Sequence, residues 1–421
     1  MLKNMEIDRL HSSKKIIWFV TDFKVAGGGE RLVLEGEKVL KANGIMCHIV
    51  CLEFDRKALY GGKYDVDTIK IDTGGNEGDK RLFSKVRRYI RSMFSLKNLI
   101  GRIDPDMILC QDFGGYVFVM LSTLFSQYPY SILDFGQMYH FTGHRIASTF
   151  FYRRKSIEIS KQISLCGEIS SVPSPSLNPV KRAIDEIKGA LIFYSFKKAK
   201  NIFTLSNKVK DEDDYLYAKN AIVIKGAYSE DLLGYKPKID IKAKLGLQGR
   251  DIILNIGRLV SNKRVDLCIR AMFALKEKRP NAMLMIGGTG PEEHILKNLV
   301  TELRLAEHVS FLGFIDEDLL LDYYSACQVF TTMDNADFDI TTYVALALGK
   351  MVVLPMVMEI DNNLKSNGQV FPCNPKPDEI AIALEMAIDA RVTPYTTYEK
   401  EKFYKYTWTS CFRTLITSIS Q

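Results

Sequence analysis

No run in this sequence approaches the roughly 20 consecutive apolar residues that a membrane-spanning helix needs. Met1 to Lys15 is polar and charged, without the apolar stretch of a secretion signal. Both absences predict a cytoplasmic protein, soluble or at most peripheral on the inner face of a membrane. Metal-ligand spacing is missing too. The eight cysteines (Cys47, Cys51, Cys110, Cys166, Cys268, Cys327, Cys373 and Cys411) include no C-x-x-C pair, which argues against a structural zinc site. Most of them stand inside apolar segments and read as reduced core residues. Positive charge is only mildly in excess, at +7, too little to indicate nucleic acid but compatible with an anionic substrate or lipid. One local absence is sharper: from Lys80 to Arg102 there is no acidic residue.

What is present is an α/β pattern. A chain of 421 residues, 47% hydrophobic and 25% charged, is too long for one ordinary core, so two domains are expected. Apolar runs at Ile16 to Val20, Cys47 to Leu52, Met107 to Gln111, Tyr130 to Asp134 and Asn201 to Ser206 are separated mostly by helical spacing in the first half. In the second half the runs are Ile252 to Ile256, Ala282 to Ile286, Val309 to Leu312, Val329 to Thr332, Val352 to Leu354 and Gln369 to Phe371. The alternation predicts two doubly wound parallel sheets, in which ligands collect beyond the carboxyl ends of the strands.

Several groups at those strand ends are candidates for a site. Gly27, Gly28 and Gly29 open a helix after the first strand, where free N–H groups make an anion site, although a turn with positive φ would explain one glycine as well. After Asp251 to Ile256 comes Gly257, which lets backbone approach a ligand. Arg258 and Lys263, five residues apart, can face one anion there; a solvated basic loop is the plainer reading. Gly288, Thr289 and Gly290 repeat the strand-end pattern. His140 stands near a strand's carboxyl end beside glycine, with His144 four residues on. The run Asp211 to Asp214 suits compensation of a helix dipole better than a metal.

Around the acid-free stretch, Leu82, Val86, Tyr89, Ile90, Met93 and Phe94 share one helical stripe, with Lys80, Arg81, Lys85, Arg87, Arg88 and Arg91 on the remaining surface. Such a helix can lie on an anionic membrane, or can pack its stripe on the sheet and leave its cations wet. Both readings stay open. A second aromatic and basic patch follows at Phe150 to Lys155.

The blocks Asn255 to Arg264, Ile286 to Glu293, Val309 to Phe314 and Ala345 to Lys350, in that order and spacing, resemble the C-terminal half of family 4 glycosyltransferases of the GT-B fold. The first half carries weaker matches. The resemblance implies that Arg258 and Lys263 hold a donor diphosphate, that Gly27, Gly28 and Gly29 line the cleft near it, and that His140 lies near the transferred sugar. Gly257, Gly288, Thr289 and Gly290 would let backbone approach the nucleotide. The chain departs from the family at an acidic motif of two glutamates: those positions hold Ala336 and Val344. Valine cannot accept the hydrogen bonds that the second glutamate usually takes from the donor's ribose. Asp337 and Asp339 stand close enough in sequence to substitute near the sugar, and Ile340, Thr341 and Thr342 to present N–H groups to the diphosphate.

The expected organisation is a flexible N-terminus over 1–13, an acceptor domain over 14–225, and a donor domain over 226–395 entered through a linker from Gly226 to Lys244. A C-terminal helix over 396–421 crosses back to the first domain. The expected activity moves a hexose from a nucleotide-diphosphate sugar to a glycan or lipid-linked acceptor with retention, with no metal or other cofactor and no nucleic acid. The alternative is a degenerate member that binds a sugar nucleotide or a partner without turnover.

Overall fold

The computed structural model describes residues 14–24, 27–55, 64, 68–71, 82–135, 145–165, 174–334, 338–365, 368–390 and 397–420. Residues 1–13 and the candidates His140, His144 and Asp337 lie outside the described residues. The first domain holds β1 (Lys15–Phe23), β2 (Met46–Phe54), β3 (Thr68–Lys70), β4 (Met107–Gln111), β5 (Tyr130–Asp134), β6 (Ile202–Thr204) and β7 (Ile222–Val223), in spatial order β3-β2-β1-β4-β5-β6-β7. The second holds β8 (Asp251–Ile256), β9 (Ala282–Gly287), β10 (Val309–Gly313), β11 (Val329–Thr331), β12 (Met351–Pro355) and β13 (Val370–Cys373), in order β10-β9-β8-β11-β12-β13. Pairing within both sheets is parallel. Each order reverses once, between β1 and β4 and between β8 and β11. At such a point neighbouring crossovers leave to opposite faces and open a crevice at the strands' carboxyl ends. These are the two doubly wound α/β domains that the alternation predicts.

The central strands are apolar without alternation because helices cover both faces. On one face of the first sheet Ile17, Phe19, Ile108 and Cys110 pack with Leu96, Tyr116, Phe118 and Phe196. On the other, Ile16, Trp18 and Val20 pack with Leu32, Val33, Phe412 and Leu415. The last two belong to helix Trp408–Ser420, so the end of the chain completes the first domain's core. It lies against helix Gly28–Ala42 at Gly36, where a Cβ would stand 2.4 Å from Phe412 and 2.6 Å from Trp18.

Three expectations change in detail. Residues 397–420 form two helices, and the first, Thr397–Tyr404, keeps Phe403 in the second domain's core; only Trp408–Ser420 crosses over. The stretch from Gly226 is packed from its start, because Ala227, Tyr228 and Leu232 have the second sheet to cover. Ala227 N donates to Tyr406 O at 2.8 Å and Trp408 N to Tyr228 O at 2.9 Å, so the two crossings between domains run side by side as a hinge. The acidic run from Asp211 lies beyond the first turn of helix Asn207–Tyr217, whose start is capped by Ser206 Oγ, 3.1 Å from Val209 N. It therefore does not serve the helix dipole. Asp213 is buried, and burial together with Asp134 and Glu212 holds its carboxyl well above the usual range. Among the described residues no cluster of acids, histidines and cysteines has metal-binding form, and no helix is long and apolar enough to cross a membrane.

Helix Leu82–Ile103 divides its apolar residues between two faces. Leu96, Leu99 and Ile100 are buried in the core against the sheet, whereas Val86, Ile90 and Phe94 are 48%, 48% and 61% exposed. Tyr89 bridges the two faces, edge-on to Phe118 at 5.3 Å.

Candidate functional site

Segments that follow the carboxyl ends of strands in the two sheets meet: Gly28, after β1, lies beside Ile340, after β11, and Arg31 pairs with Glu317, after β10. Asp112, after β4, accepts from Thr21 N at 2.8 Å and Thr21 Oγ1 at 2.7 Å, and caps helix Phe113–Ser122 through Gly115 N at 2.7 Å. These bonds tie the ends of β1 and β4 together. Helix Gly28–Ala42 starts beside them, with Gly27 extended at its N-cap and no side-chain hydrogen bond capping it among the described residues. Its first turn meets the second domain directly, since a Cβ on Gly28 would stand 3.3 Å from Ile340 Cδ1. Gly29 lies against Phe135 and near Gln111, whose Nε2 is 3.5 Å from Gly29 O. The glycine loop and the Ile340–Thr342 turn, which come from different domains, are thus brought together.

Glu30 lies where ligand charge was expected. Its carboxylate curls back so far that a Cβ on Gly27 would be 2.6 Å from Glu30 Oε2. Burial raises its pKa, while its own backbone N–H and the Arg258 guanidinium of the other domain act in the opposite sense. Arg258 itself is exposed. An acid of the first domain and a cation of the second therefore sense each other across the cleft.

Lys263 closes the 3-10 turn Ser261–Lys263, which Arg264 ends in the left-handed region at φ 47°. Its stem runs over Gly257, where a Cβ would meet Lys263 Cε at 3.8 Å. Its ammonium pairs with Asp334 just beyond β11. Burial works to lower the Lys263 pKa, but Asp334 and Asp339 outweigh that and the opposing charge of Arg258, so the net direction is upward.

Gly288 and Gly290 are required by the protein's own backbone. Gly288 has φ 124°, and a Cβ there would be 1.9 Å from Gly257 O; on Gly290 it would be 2.3 Å from Leu259 O. Gly257 N donates to Gly287 O at 3.0 Å and Leu259 N to Thr289 O at 2.9 Å. The two loops are zipped together, which fixes the position of Arg258. Asp339 also differs from expectation. Buried at 7% exposure, it caps its own helix, Ile340–Ala347, accepting from Thr341 N at 3.3 Å, Thr341 Oγ1 at 2.6 Å and Thr342 Oγ1 at 2.9 Å. Its carboxylate is engaged there, at the helix start that Ile340, Thr341 and Thr342 were expected to offer to phosphate. Val344, on the same helix, is 9% exposed.

Sequence reasoning did not single out Asp334, Glu30 or Glu317. Asp334 ends the apolar run Val329 to Thr332, a position that the strand-end rule could have marked. Glu30 and Glu317 matter through partners in the other domain, which spacing along one chain cannot show.

Residues 237–405 match the family model for glycosyl transferases group 1. Over 264 residues the chain is 27% identical to an uncharacterized glycosyltransferase of Methanocaldococcus jannaschii, a match covering 59% of this chain and 64% of that protein. It is 22% identical over 165 residues to an alpha-monoglucosyldiacylglycerol synthase of Acholeplasma laidlawii, covering 39% of this chain and 40% of the relative. In each case the match spans less than two thirds of the relative's length. Among solved structures, Anabaena HepE in complex with UDP and glucose superposes with a TM-score of 0.66 at 13% identity, covering 97% of this chain and 99% of that one. Sucrose-phosphate synthase from Thermosynechococcus elongatus gives 0.68 at 16% identity over 96% of this chain and 100% of that one. At these identities the likeness is one of fold.

Proposed function

We propose that this chain, a GT-B member of the glycosyl transferases group 1 family, moves a hexose from a nucleotide-diphosphate sugar to a glycan or lipid-linked acceptor with retention. The observation that carries the reading is the meeting of segments that follow strand ends of the two sheets, with an exposed arginine and a tethered lysine on one side and a glycine-opened helix on the other. Departure of a nucleoside diphosphate builds negative charge on the leaving group while the anomeric carbon turns cationic. Fixed cations stabilise that charge without reorganising. In this reading Arg258, Lys263 and the start of helix Gly28–Ala42 neutralise the diphosphate, so no metal ion is called for. The UDP-bound neighbour supports a nucleotide donor.

The test is a mass-spectrometric screen of UDP-, GDP- and ADP-sugars. One donor should be consumed, and Arg258→Ala should slow turnover about a hundred-fold or more, roughly 2.7–4 kcal/mol. The buried Val344 and the engaged Asp339 favour a second reading, a member that binds the nucleotide without turnover. Binding with no donor consumed would establish it, and the absence of both would overturn both readings.

For the acceptor, relatives named for diacylglycerol and phosphatidylinositol monomannoside substrates support a lipid-linked molecule. Val86, Ile90 and Phe94 form an exposed apolar row beside the exposed cations Arg87, Arg91 and Lys97, a surface suited to anionic headgroups at about 1 kcal/mol per cation. Co-sedimentation with phosphatidylglycerol vesicles should fall with salt. Binding indifferent to salt removes the headgroup contacts of the cations, and no binding removes the membrane from the proposal.

A further inference from the structure

We propose that Asp334 is a positioning residue, fixing the Lys263 ammonium at the mouth of the second sheet so that it is charged and in place when a diphosphate arrives. The inference rests on the reading of Lys263 as a diphosphate cation. It adds a residue that none of the motifs in this sequence marks and that stands apart from the two positions, Ala336 and Val344, where the resemblance leads one to look for acids.

The geometry gives the pair an inside and an outside. The Asp334 side chain is 3% exposed and that of Lys263 27%. The acid is therefore the fixed member, set at the end of β11 with its backbone N 3.3 Å from Thr332 Oγ1, and the ammonium is the member that reaches the opening. An ammonium has three donors and Asp334 occupies one, leaving others for a ligand. A lysine stem has several soft torsions. Here it is held at both ends, by the left-handed Arg264 that closes its turn and by the ion pair at its tip.

Such a pair is weak evidence for stability, because desolvating both partners offsets most of their attraction. What it does secure is charge state. In a site this buried an isolated lysine drifts toward the neutral form. Among the described residues the charged groups that act on Lys263 are Asp334, Asp339 and Arg258, and of these the two acids favour the ammonium. Asp339 is already engaged by two threonines, so Asp334 is the acid in direct contact.

The experiment titrates inorganic pyrophosphate by calorimetry into the wild type, Asp334→Asn, Asp334→Glu and Lys263→Met, from about pH 6.5 to about pH 9, below the ordinary lysine range. The ratio of variant to wild-type Kd should climb about tenfold across that range for Asp334→Asn, as Lys263 loses its proton early. For Asp334→Glu it should stay near one. A flat ratio for a folded Asp334→Asn overturns the positioning role while leaving the cation pair intact. If Lys263→Met binds pyrophosphate as the wild type does, or the wild type does not bind it, the reading of Lys263 fails and the proposal falls with it. Should Asp334→Asn fail to fold, competitive acylation of wild-type lysines decides: Lys263 should stay unreactive where exposed lysines react, and reaction in step with them overturns the proposal.

Discussion

Arg31, in helix Gly28–Ala42, and Glu317, which opens helix Glu317–Ala326, form an ion pair that joins the two domains across the cleft, each side chain 22% exposed. At the hinge Glu359 of the second domain accepts from Asn207 Nδ2 at 2.8 Å and Lys208 N at 3.0 Å, at the start of a first-domain helix. Across the cleft the domains are thus joined by this ion pair as well as by the packing of Gly28 beside Ile340, and at the hinge by the bonds to Glu359. If the proposed transferase opens and closes about this hinge, contacts of the first kind must break and those of the second persist.

Glu317→Gln should therefore leave the fold intact and loosen closure. A partly buried pair of this kind contributes about 1 kcal/mol or less, which corresponds to a factor of about five in an open–closed equilibrium. Small-angle scattering should show a larger radius of gyration without ligand, and nucleotide Kd should weaken by no more than that factor. If neither changes, the pair does not govern closure.

Two glycines of the donor-side loops should respond differently to one methyl group. Gly288→Ala places a Cβ 1.9 Å from a carbonyl oxygen at φ 124°, whereas Gly257→Ala meets the Lys263 stem at ordinary contact distance, Cε at 3.8 Å and Cδ at 3.9 Å. The first should destabilise by more than about 1 kcal/mol, and the second should stay within about 0.5 kcal/mol. Melting curves of the two variants check this. Equal effects would mean that the zipped loops are not what requires Gly288.

How much of this was legible in the sequence follows from what spacing can encode. The apolar runs with helical spacing between them gave both sheets, because strands covered on two faces must be apolar throughout and leave a plain signal, as at Ile16 to Val20. Arg258 and Lys263 could be found because a strand end followed by glycine and cations is local in sequence. Asp334 stands at a strand end and could have been marked as a candidate, but its pairing with Lys263, like Glu30 opposite Arg258 and Glu317 opposite Arg31, could not, since each partner arrives through the fold. The engagement of Asp339 with Thr341 and Thr342 was local, a capping pattern of acid and hydroxyls at a helix start. The exposed face of helix Leu82–Ile103 was half legible: its hydrophobic residues outnumber what one sheet contact can cover, but the sequence does not say which of them stay outside.

Asp361 should make part of the interdomain contact acid-sensitive. Burial alone would raise its pKa, but hydrogen bonds from Lys225, Tyr406 and Lys405 outweigh that and hold it at about 2. A carboxyl depressed in the folded state stabilises it above the unfolded value of about 4, and that contribution is lost as pH falls through about 2. Asp361→Asn should thus lower the melting temperature at neutral pH, with the difference from wild type shrinking between about pH 4 and about pH 2. A difference constant over that window would remove the carboxylate's charge as the cause.

Val344→Glu tests whether the missing motif acid matters. Val344 is 9% exposed and belongs to the cluster of Tyr343, Leu346 and Phe330, so without nucleotide a carboxylate there lacks partners and should cost about 1–3 kcal/mol. With a nucleotide bound, ribose hydroxyls would supply those partners and return much of that loss. The variant should melt lower than wild type when empty, yet gain more from saturating UDP, GDP or ADP, whichever binds, and should transfer sugar faster if the wild-type site is active but impaired. A lower melting point with no larger nucleotide shift would mean that this face of helix Ile340–Ala347 does not look onto the ribose, and the departure at Val344 would then be a matter of packing alone.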